Sequence, residues 1–251
     1  VEMKNPAGEA EAQKAMRTLS AILGSFEHDT LSDGSPLLPQ GNPVIVLKNK
    51  AARKTLKPRD RHLSLQERLE LRDYLSNAWH KEWNGLINKE QASFIFLLLV
   101  TGLRFNEPLK LQWSDVFFKE KYFVIRNTKN GRDHIMPMTK RIKSILIGLK
   151  NDSEWVFASP VDPSKPASMA KVIERASEEA QIKFTAHDLR RTVATLLADR
   201  GFSEDRISVV LNHSRQTQTS AYIQRTADQI RPLLEGIDHD LFEIDNDLEQ
   251  S

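Results

Sequence analysis

Six side chains between positions 104 and 222 are of kinds that could share one reaction: Arg104, Lys129, His187, Arg190, His213 and Tyr222. That reaction would be attack on a phosphodiester, which needs a nucleophile, positive charge facing the non-bridging oxygens and a proton for the departing oxygen. Tyr222 offers a hydroxyl that can form a covalent phosphotyrosine. A free tyrosine has a pKa of about 10, so only on the order of 0.1% is ionised at pH 7. It therefore needs a proton acceptor nearby or a strongly cationic site. His187 is the better acceptor, because histidine titrates near neutrality. Arg104 and Arg190 carry planar forks that match phosphate oxygens and stay charged. Two such forks can supply what a metal ion supplies elsewhere.

Taken singly, each of these residues has an ordinary reading. Arg104 follows Thr-Gly-Leu at a helix end, where arginines are usually surface or capping residues. Lys129 sits in a turn, where lysines are mostly solvated. His213 could cap a helix or fill a core, and Tyr222 could be a half-buried aromatic. His187 and Arg190 stand three apart, so on a helix they share a face and can point at one target. Arg191 is turned roughly 100° away from that face, which makes it a structural or DNA-backbone residue.

Taken together, the set resembles that of the tyrosine recombinase family. The surrounding text matches as well: TGLRFNE around Arg104, TKNG around Lys129, HDLRRTVATLL from His187, LNHS around His213, and then Tyr222. The resemblance covers roughly residues 63 to 235. It implies a catalytic domain in which Tyr222 attacks, His213 donates to a non-bridging oxygen and Lys129, on a mobile hairpin, protonates the 5′-hydroxyl leaving group. It also implies that Glu107 supports Arg104, although a first-turn acid favourable to a helix dipole reads equally well there. Two departures are visible: Pro108 stands where an aliphatic residue is usual, and Asn212 where glycine is common. Neither removes a catalytic group. The activity implied is site-specific recombination of a phage or mobile element. The alternatives are a type IB topoisomerase or chromosome-resolving enzyme, or a catalytically idle DNA-binding factor on the same fold. No clustered acids of the two-metal type, no phosphate loop and no zinc spacing stand out, so neither metal nor other cofactor is expected.

The elements that must position these groups can be read from periodicity. Met16, Leu19, Ile22, Leu23 and Phe26 form one apolar stripe on a helix over about 9–27. Loop and linker text follows from Asp29 to Arg61. Ser64 with Glu67 is a capping box opening a helix to about Ala78. Residues 89–101 predict a buried central helix stopped by Gly102, and Asn106 a cap for a further helix with Pro108 in its first turn. The period then changes. Residues 116–118, 122–125 and 134–138 predict strands, with Asn130-Gly131 as a two-residue hairpin turn. Helices resume after Thr139, one of them beginning near His187 and ending before Gly201. Ile230, Leu233, Leu234, Ile237, Leu241 and Phe242 predict a last helix, which starts just before Pro232 if proline is to be tolerated. The family resemblance implies that its stripe docks on a neighbouring protomer, with packing on its own domain as the plain alternative. The fold class expected is mainly α with a small three-stranded antiparallel sheet.

With 251 residues, the chain can hold one sizeable core plus an appendage. The family resemblance implies that residues 1–45 are the tail of a helical core-binding domain, 46–62 a basic linker and 63–251 the catalytic domain. The chain begins at Val1, as an excised fragment would. The net charge of +2 is uninformative, but its distribution is not. Lys54, Lys57, Arg59 and Arg61 lie in a basic run that is either a solvated linker or a strap along a phosphate backbone. There is no cysteine, hence no disulfide or thiolate metal site. The longest apolar run, Phe94 to Val100, is too short to span a bilayer, and no targeting segment is visible. The expected partners are double-stranded DNA sites and further protomers, as a tetramer at synapsis. The expected location is the bacterial cytoplasm.

Overall fold

A computed structural model describes residues 6–45, 60–80, 82–212 and 220–242; of residues 6–10, 220–225 and 242 it describes only the helical backbone. The chain divides into two units, Val1–Arg59 and Asp60–Ser251. In the first, helix α1 (Pro6–Ser25) is followed by turns, and Asn42 Nδ2 donates to the Ser20 carbonyl at 2.7 Å. The predicted stripe is there but open: Met16, Leu19, Ile22 and Phe26 are exposed among the described residues.

The second unit is built around α3 (Lys89–Thr101). Asn88 and Gln91 cap it reciprocally, and every residue from Ala92 to Thr101 is buried. A helix that is apolar all round is stable only when surrounded. Here α2 (Leu65–Asn77), α4 (Lys140–Gly148), α6 (Ala186–Asp199) and α8 (Ser220–Phe242) all pack on it. Burying a Leu or Phe side chain stabilises by about 1.5–3 kcal/mol, so the run from Phe94 to Val100 anchors the core. Phe94 also meets the edges of Phe105 and Phe157 at 5.2 and 5.5 Å. Gly102 ends the helix in the left-handed region at φ 66°, as the sequence predicts. The Ser64–Glu67 capping box opens α2 as expected.

Strands β1 (Val116–Phe117), β2 (Tyr122–Ile125) and β3 (His134–Pro137) form an antiparallel sheet in the order β1-β2-β3. The fold is the expected mainly α chain with a small three-stranded sheet. Alternation sends Phe123, Ile125 and Met136 into the main core, while Val124 and Ile135 face Ala227 of α8. Arg231 fastens α8 to the sheet, donating to the carbonyls of Met138 (2.8 Å) and Lys121 (3.1 Å). Beyond the sheet, α5 (Val172–Glu179) and α7 (Glu204–Val210) flank α6 in the chain.

Four expectations are corrected. Asn106 caps no helix: only a 3-10 turn, Pro108–Lys110, follows, and it has no side-chain cap. The Asn130-Gly131 turn is not a two-residue hairpin. Of the two, only Gly131 is left-handed (φ 71°), Asn127 is a second left-handed position, and Thr128 N bonds the Arg132 carbonyl at 3.0 Å, giving a longer loop over 126–133. Pro232 lies well inside α8 rather than at its start. Its missing N–H and ring crowding are offset by apolar burial along the same helix. Finally, that stripe packs on its own domain: Ile230, Leu233, Leu234, Ile237 and Leu241 are at most 2% exposed within the main core. Arg200 reinforces it with a two-pronged ion pair to Asp240 at 2.8 and 2.6 Å.

Gly102 tests this frame. A Cβ there would come within 2.8 Å of Leu211 Cδ2 and 3.1 Å of Val193 Cγ1, on a backbone that disfavours side chains. Gly102→Ala should cost roughly 2–3 kcal/mol by urea unfolding, from strain and clash together. Gly131→Ala, with a similar φ but nothing within 4 Å, should cost only about 1 kcal/mol. Equal losses would show that the close packing at Gly102 is unimportant.

Candidate active site

The turn that ends α3 carries Arg104 out of the core, and Glu107 holds it there. Glu107 Oε1 accepts from Arg104 Nη1 at 2.8 Å, and Oε2 accepts from the Arg104 backbone N–H at 2.8 Å. The carboxylate side chain is 5% exposed and the arginine side chain 25%. The structure thus places Glu107 on Arg104, and the adjoining turn is too short to give a helix dipole much weight.

Arg190 comes from α6, whose start is fixed by a capping box that the sequence reading overlooked. Thr185 Oγ1 accepts from Asp188 N at 3.2 Å, and Asp188 Oδ2 accepts from Thr185 N at 2.9 Å. The cap sets which face looks inward. Arg190 is buried at 5% exposure, and its Nη1 donates to the Gly102 carbonyl at 2.6 Å and its Nη2 to the Leu211 carbonyl. Burial, and then the charge on Arg104, push its pKa down to about 10, with Glu107 opposing. It stays cationic at neutral pH. His187, one turn earlier, is exposed in the first turn of α6. Arg191 is half-buried, with one terminal nitrogen enclosed and lacking a hydrogen-bond partner.

Lys129 is exposed on the 126–133 loop. Arg126 braces the base of that loop through Asp115 (2.9 Å) and Asp133 (2.6 Å). At its tip, Asn130 Nδ2 donates to the Asn212 carbonyl at 2.6 Å, and Asn212 Nδ2 donates to Thr128 Oγ1 at 2.9 Å. The Asn212 carbonyl also receives Arg104 Nη2 at 3.4 Å. Arg104, Arg190 and the loop bearing Lys129 therefore meet at residues 211–212. His213 lies outside the described residues, as do Lys54, Lys57 and Arg59. Tyr222 falls in the first turn of α8. Arg61 is described: its guanidinium bonds Glu67 Oε1 at 2.7 Å and the Lys183 carbonyl.

Tyr74 and Tyr122 are held in other surroundings. Tyr74 is buried and donates to Glu179 Oε2 at 2.6 Å; burial and that carboxylate raise its pKa. Tyr122 stacks on Phe117 at 4.7 Å, on the sheet face that packs against Ala227. Among the described residues, no three His, Asp or Glu side chains converge as metal ligands would. No helix among them is long and apolar enough to cross a membrane.

Sequence reasoning missed His134, the first residue of β3. It is buried, and neither ring nitrogen makes a well-formed hydrogen bond, although the Val210 carbonyl lies close by. Burial pushes its pKa down to about 4; Glu107 and the nearby Val210 carbonyl oppose this, while Arg190 and Arg104 reinforce it. Only its place at the head of a strand run, opposite Ile125, could have marked it as inward-facing. Because the folded pKa lies below the unfolded value of 6.5, stability is full above pH 6.5 and declines as pH falls towards 4. At about 1.4 kcal/mol per pKa unit, the loss should approach 3 kcal/mol. Urea unfolding of His134→Phe at pH 7.5, 5.5 and 4.5 should show a markedly weaker acid dependence than the unaltered chain. Parallel curves would mean that His134 is not buried as a neutral ring.

The phage integrase family profile matches residues 71–229. Tyrosine recombinase XerA of Pyrococcus furiosus is 28% identical over 149 residues, which is 56% of this chain and 52% of that protein. The chain spans about half the length of the curated relatives it matches. In fold it is similar to the XerH site-specific recombinase in a pre-cleavage complex with its difH substrate (TM-score 0.60, 16% identity, covering 89% of this chain and 65% of that one). A crystal structure of XerA recombinase is likewise similar (TM-score 0.51, 20% identity, covering 91% and 93%). With a family profile spanning α3, the sheet, α6 and the start of α8, the chain belongs to the phage integrase family, the tyrosine recombinases.

Proposed function

We propose that this chain is the catalytic part of a site-specific recombinase that cuts and rejoins DNA through a 3′-phosphotyrosine on Tyr222, serving integration or excision of a phage or mobile element. The observation that carries this is the convergence at residues 211–212. Arg104 and Arg190, from different elements, both bond the backbone that runs into His213, and the Lys129 loop is tied to the same spot. Two guanidinium groups held side by side beside one buried carboxylate make a receptor for a phosphodiester that gains negative charge during reaction.

In this reading the Tyr222 oxygen attacks phosphorus, passing its proton to His187. Arg104, Arg190 and His213 hold the non-bridging oxygens, with Glu107 supporting Arg104. The bond to the 5′-oxygen breaks, and Lys129 protonates that oxygen. Attack by a 5′-hydroxyl on the phosphotyrosine reverses the sequence, so bond energy is conserved and ATP is not needed. Catalysis is mostly positioning and electrostatics. Lys54, Lys57, Arg59, Arg61 and Arg191 would contact the DNA backbone, and residues 1–45 would be the end of a core-binding domain. The partners would be double-stranded attachment sites and further protomers, four at synapsis, in the bacterial cytoplasm. XerH, similar in fold, is bound to a DNA substrate, which supports a DNA partner.

A nicked suicide duplex separates this reading from a catalytically idle DNA-binding factor, which would trap nothing. Tyr222→Phe should bind the duplex as well as the unaltered chain does, because it loses one hydroxyl and no positive charge. It should form no covalent adduct; an adduct with this variant would sink the assignment. Arg104→Ala and Arg190→Ala should each lose about 3–4 kcal/mol of transition-state stabilisation in single-turnover cleavage, as when one oxyanion donor is removed. Arg191→Ala should be milder, and the reverse order would overturn the helix-face argument.

A further inference from the structure

We propose that Asn212 is a positioning residue: it clasps the two residues that flank Lys129 and so seats the leaving-group acid beside the paired arginines. The inference rests on the reading of Lys129 as that acid. Thr128 and Asn130 bracket Lys129, and both are bonded to Asn212. Asn212 Nδ2 donates to Thr128 Oγ1 at 2.9 Å in a buried bond, and Asn130 Nδ2 donates to the Asn212 carbonyl at 2.6 Å. Thr128 Oγ1 in turn donates to the Arg132 carbonyl at 2.8 Å, so its hydroxyl is oriented to accept.

The backbone explains why this residue type is suited to the task. Asn212 is left-handed at φ 51°, a conformation that glycine adopts freely and asparagine tolerates best among residues with side chains. Glycine would satisfy the turn but could not reach Thr128. Asparagine satisfies the turn and adds a donor, and its burial at 8% exposure makes that bond costly to lose. The same carbonyl that takes Asn130 also takes Arg104 Nη2 at 3.4 Å. One residue thus spans the phosphate receptor and the tip of the loop bearing the acid. An exposed lysine at a hairpin tip would otherwise sample many placements, and proton transfer needs the donor within hydrogen-bond reach of the departing oxygen.

The test is single-turnover cleavage of two suicide duplexes, one with the ordinary 5′-oxygen at the scissile phosphate and one with a bridging 5′-sulfur. A thiol has a pKa of about 8.5, so a thiolate departs without a proton from the enzyme. Asn212→Gly keeps the turn geometry; its unfolding midpoint should fall only by the loss of one buried hydrogen bond, and its DNA affinity should match the unaltered chain. Its cleavage should be about 10- to 100-fold slower on the oxygen duplex, a share of what general acid catalysis supplies. On the sulfur duplex it should recover to within about threefold, since the acid step is then bypassed. Thr128→Val, which removes the clasp from the other side, should behave alike. Lys129→Ala should be slower still on oxygen and recover on sulfur.

If Lys129→Ala recovers on sulfur while Asn212→Gly and Thr128→Val stay slow on both duplexes, the clasp is merely structural and the proposal is wrong. Undiminished or faster cleavage of the oxygen duplex by Asn212→Gly also overturns it, the faster case marking the clasp as a restraint. If Lys129→Ala itself fails to recover, the lysine is not the acid, and both the underlying reading and the clasp fall together.

Discussion

Holding two guanidinium groups close together and largely out of water is the constraint on which this structure turns. Like charges repel, and burial removes the water that would otherwise screen them. The depressed pKa of Arg190 registers that opposition. Among the described residues, Glu107 supplies a buried counter-charge, and backbone carbonyls add to it: Gly102 and Leu211 for Arg190, Asn212 for Arg104. Each of those carbonyls is available only because of local backbone geometry. Helix α3 must stop in a left-handed turn at Gly102, and α7 must give way to a left-handed Asn212. The capping box at Thr185 must set the phase of α6 so that Arg190 looks inward. A DNA phosphate would relieve the remaining repulsion, which fits the proposed role of the site.

The sheet extends this arrangement to the other groups. The β2–β3 loop carries Lys129, and one face of the sheet packs against α8, which carries Tyr222 in its first turn. Arg231 stitches α8 to the sheet through the carbonyls of Met138 and Lys121. The proposed acid and nucleophile thus ride on elements attached to one small sheet, while the arginines ride on the turn after α3 and on α6, whose packing with α3 forms the core. Burying the far half of α8 in its own domain fixes the frame from which its first turn projects.

Much of this was legible in the sequence because it depends on local signals. The uninterrupted apolar run of α3, its stop at Gly102, the Ser64–Glu67 box and the change of period at residue 116 each follow from short-range chemistry. The order of the six candidate groups was equally plain. What escaped depends on contacts distant in sequence. Asn212 read as a mere substitute for glycine, since its partners Thr128 and Asn130 are more than 80 residues away. His134 read as one more strand residue, since Arg104, Glu107 and Arg190, whose charges act on it, are distant in sequence or on other elements. Pro232 was placed at a helix start because proline opposes a helix interior; it is tolerated because the stripe on both sides is buried. That stripe was assigned to another protomer because periodicity shows that a face needs a partner but not which one.

The central claim is that the paired arginines act on the charge of the scissile phosphate rather than only on the fold. Replacing one non-bridging oxygen of that phosphate with a methyl group removes the charge and leaves the rest of the DNA unchanged. On such a methylphosphonate duplex, single-turnover cleavage by Arg104→Ala and Arg190→Ala should come within a few-fold of the unaltered chain, although both are severely slowed on ordinary DNA. Deficits of equal size on the two duplexes would show that the arginines serve the structure alone and would contradict the account.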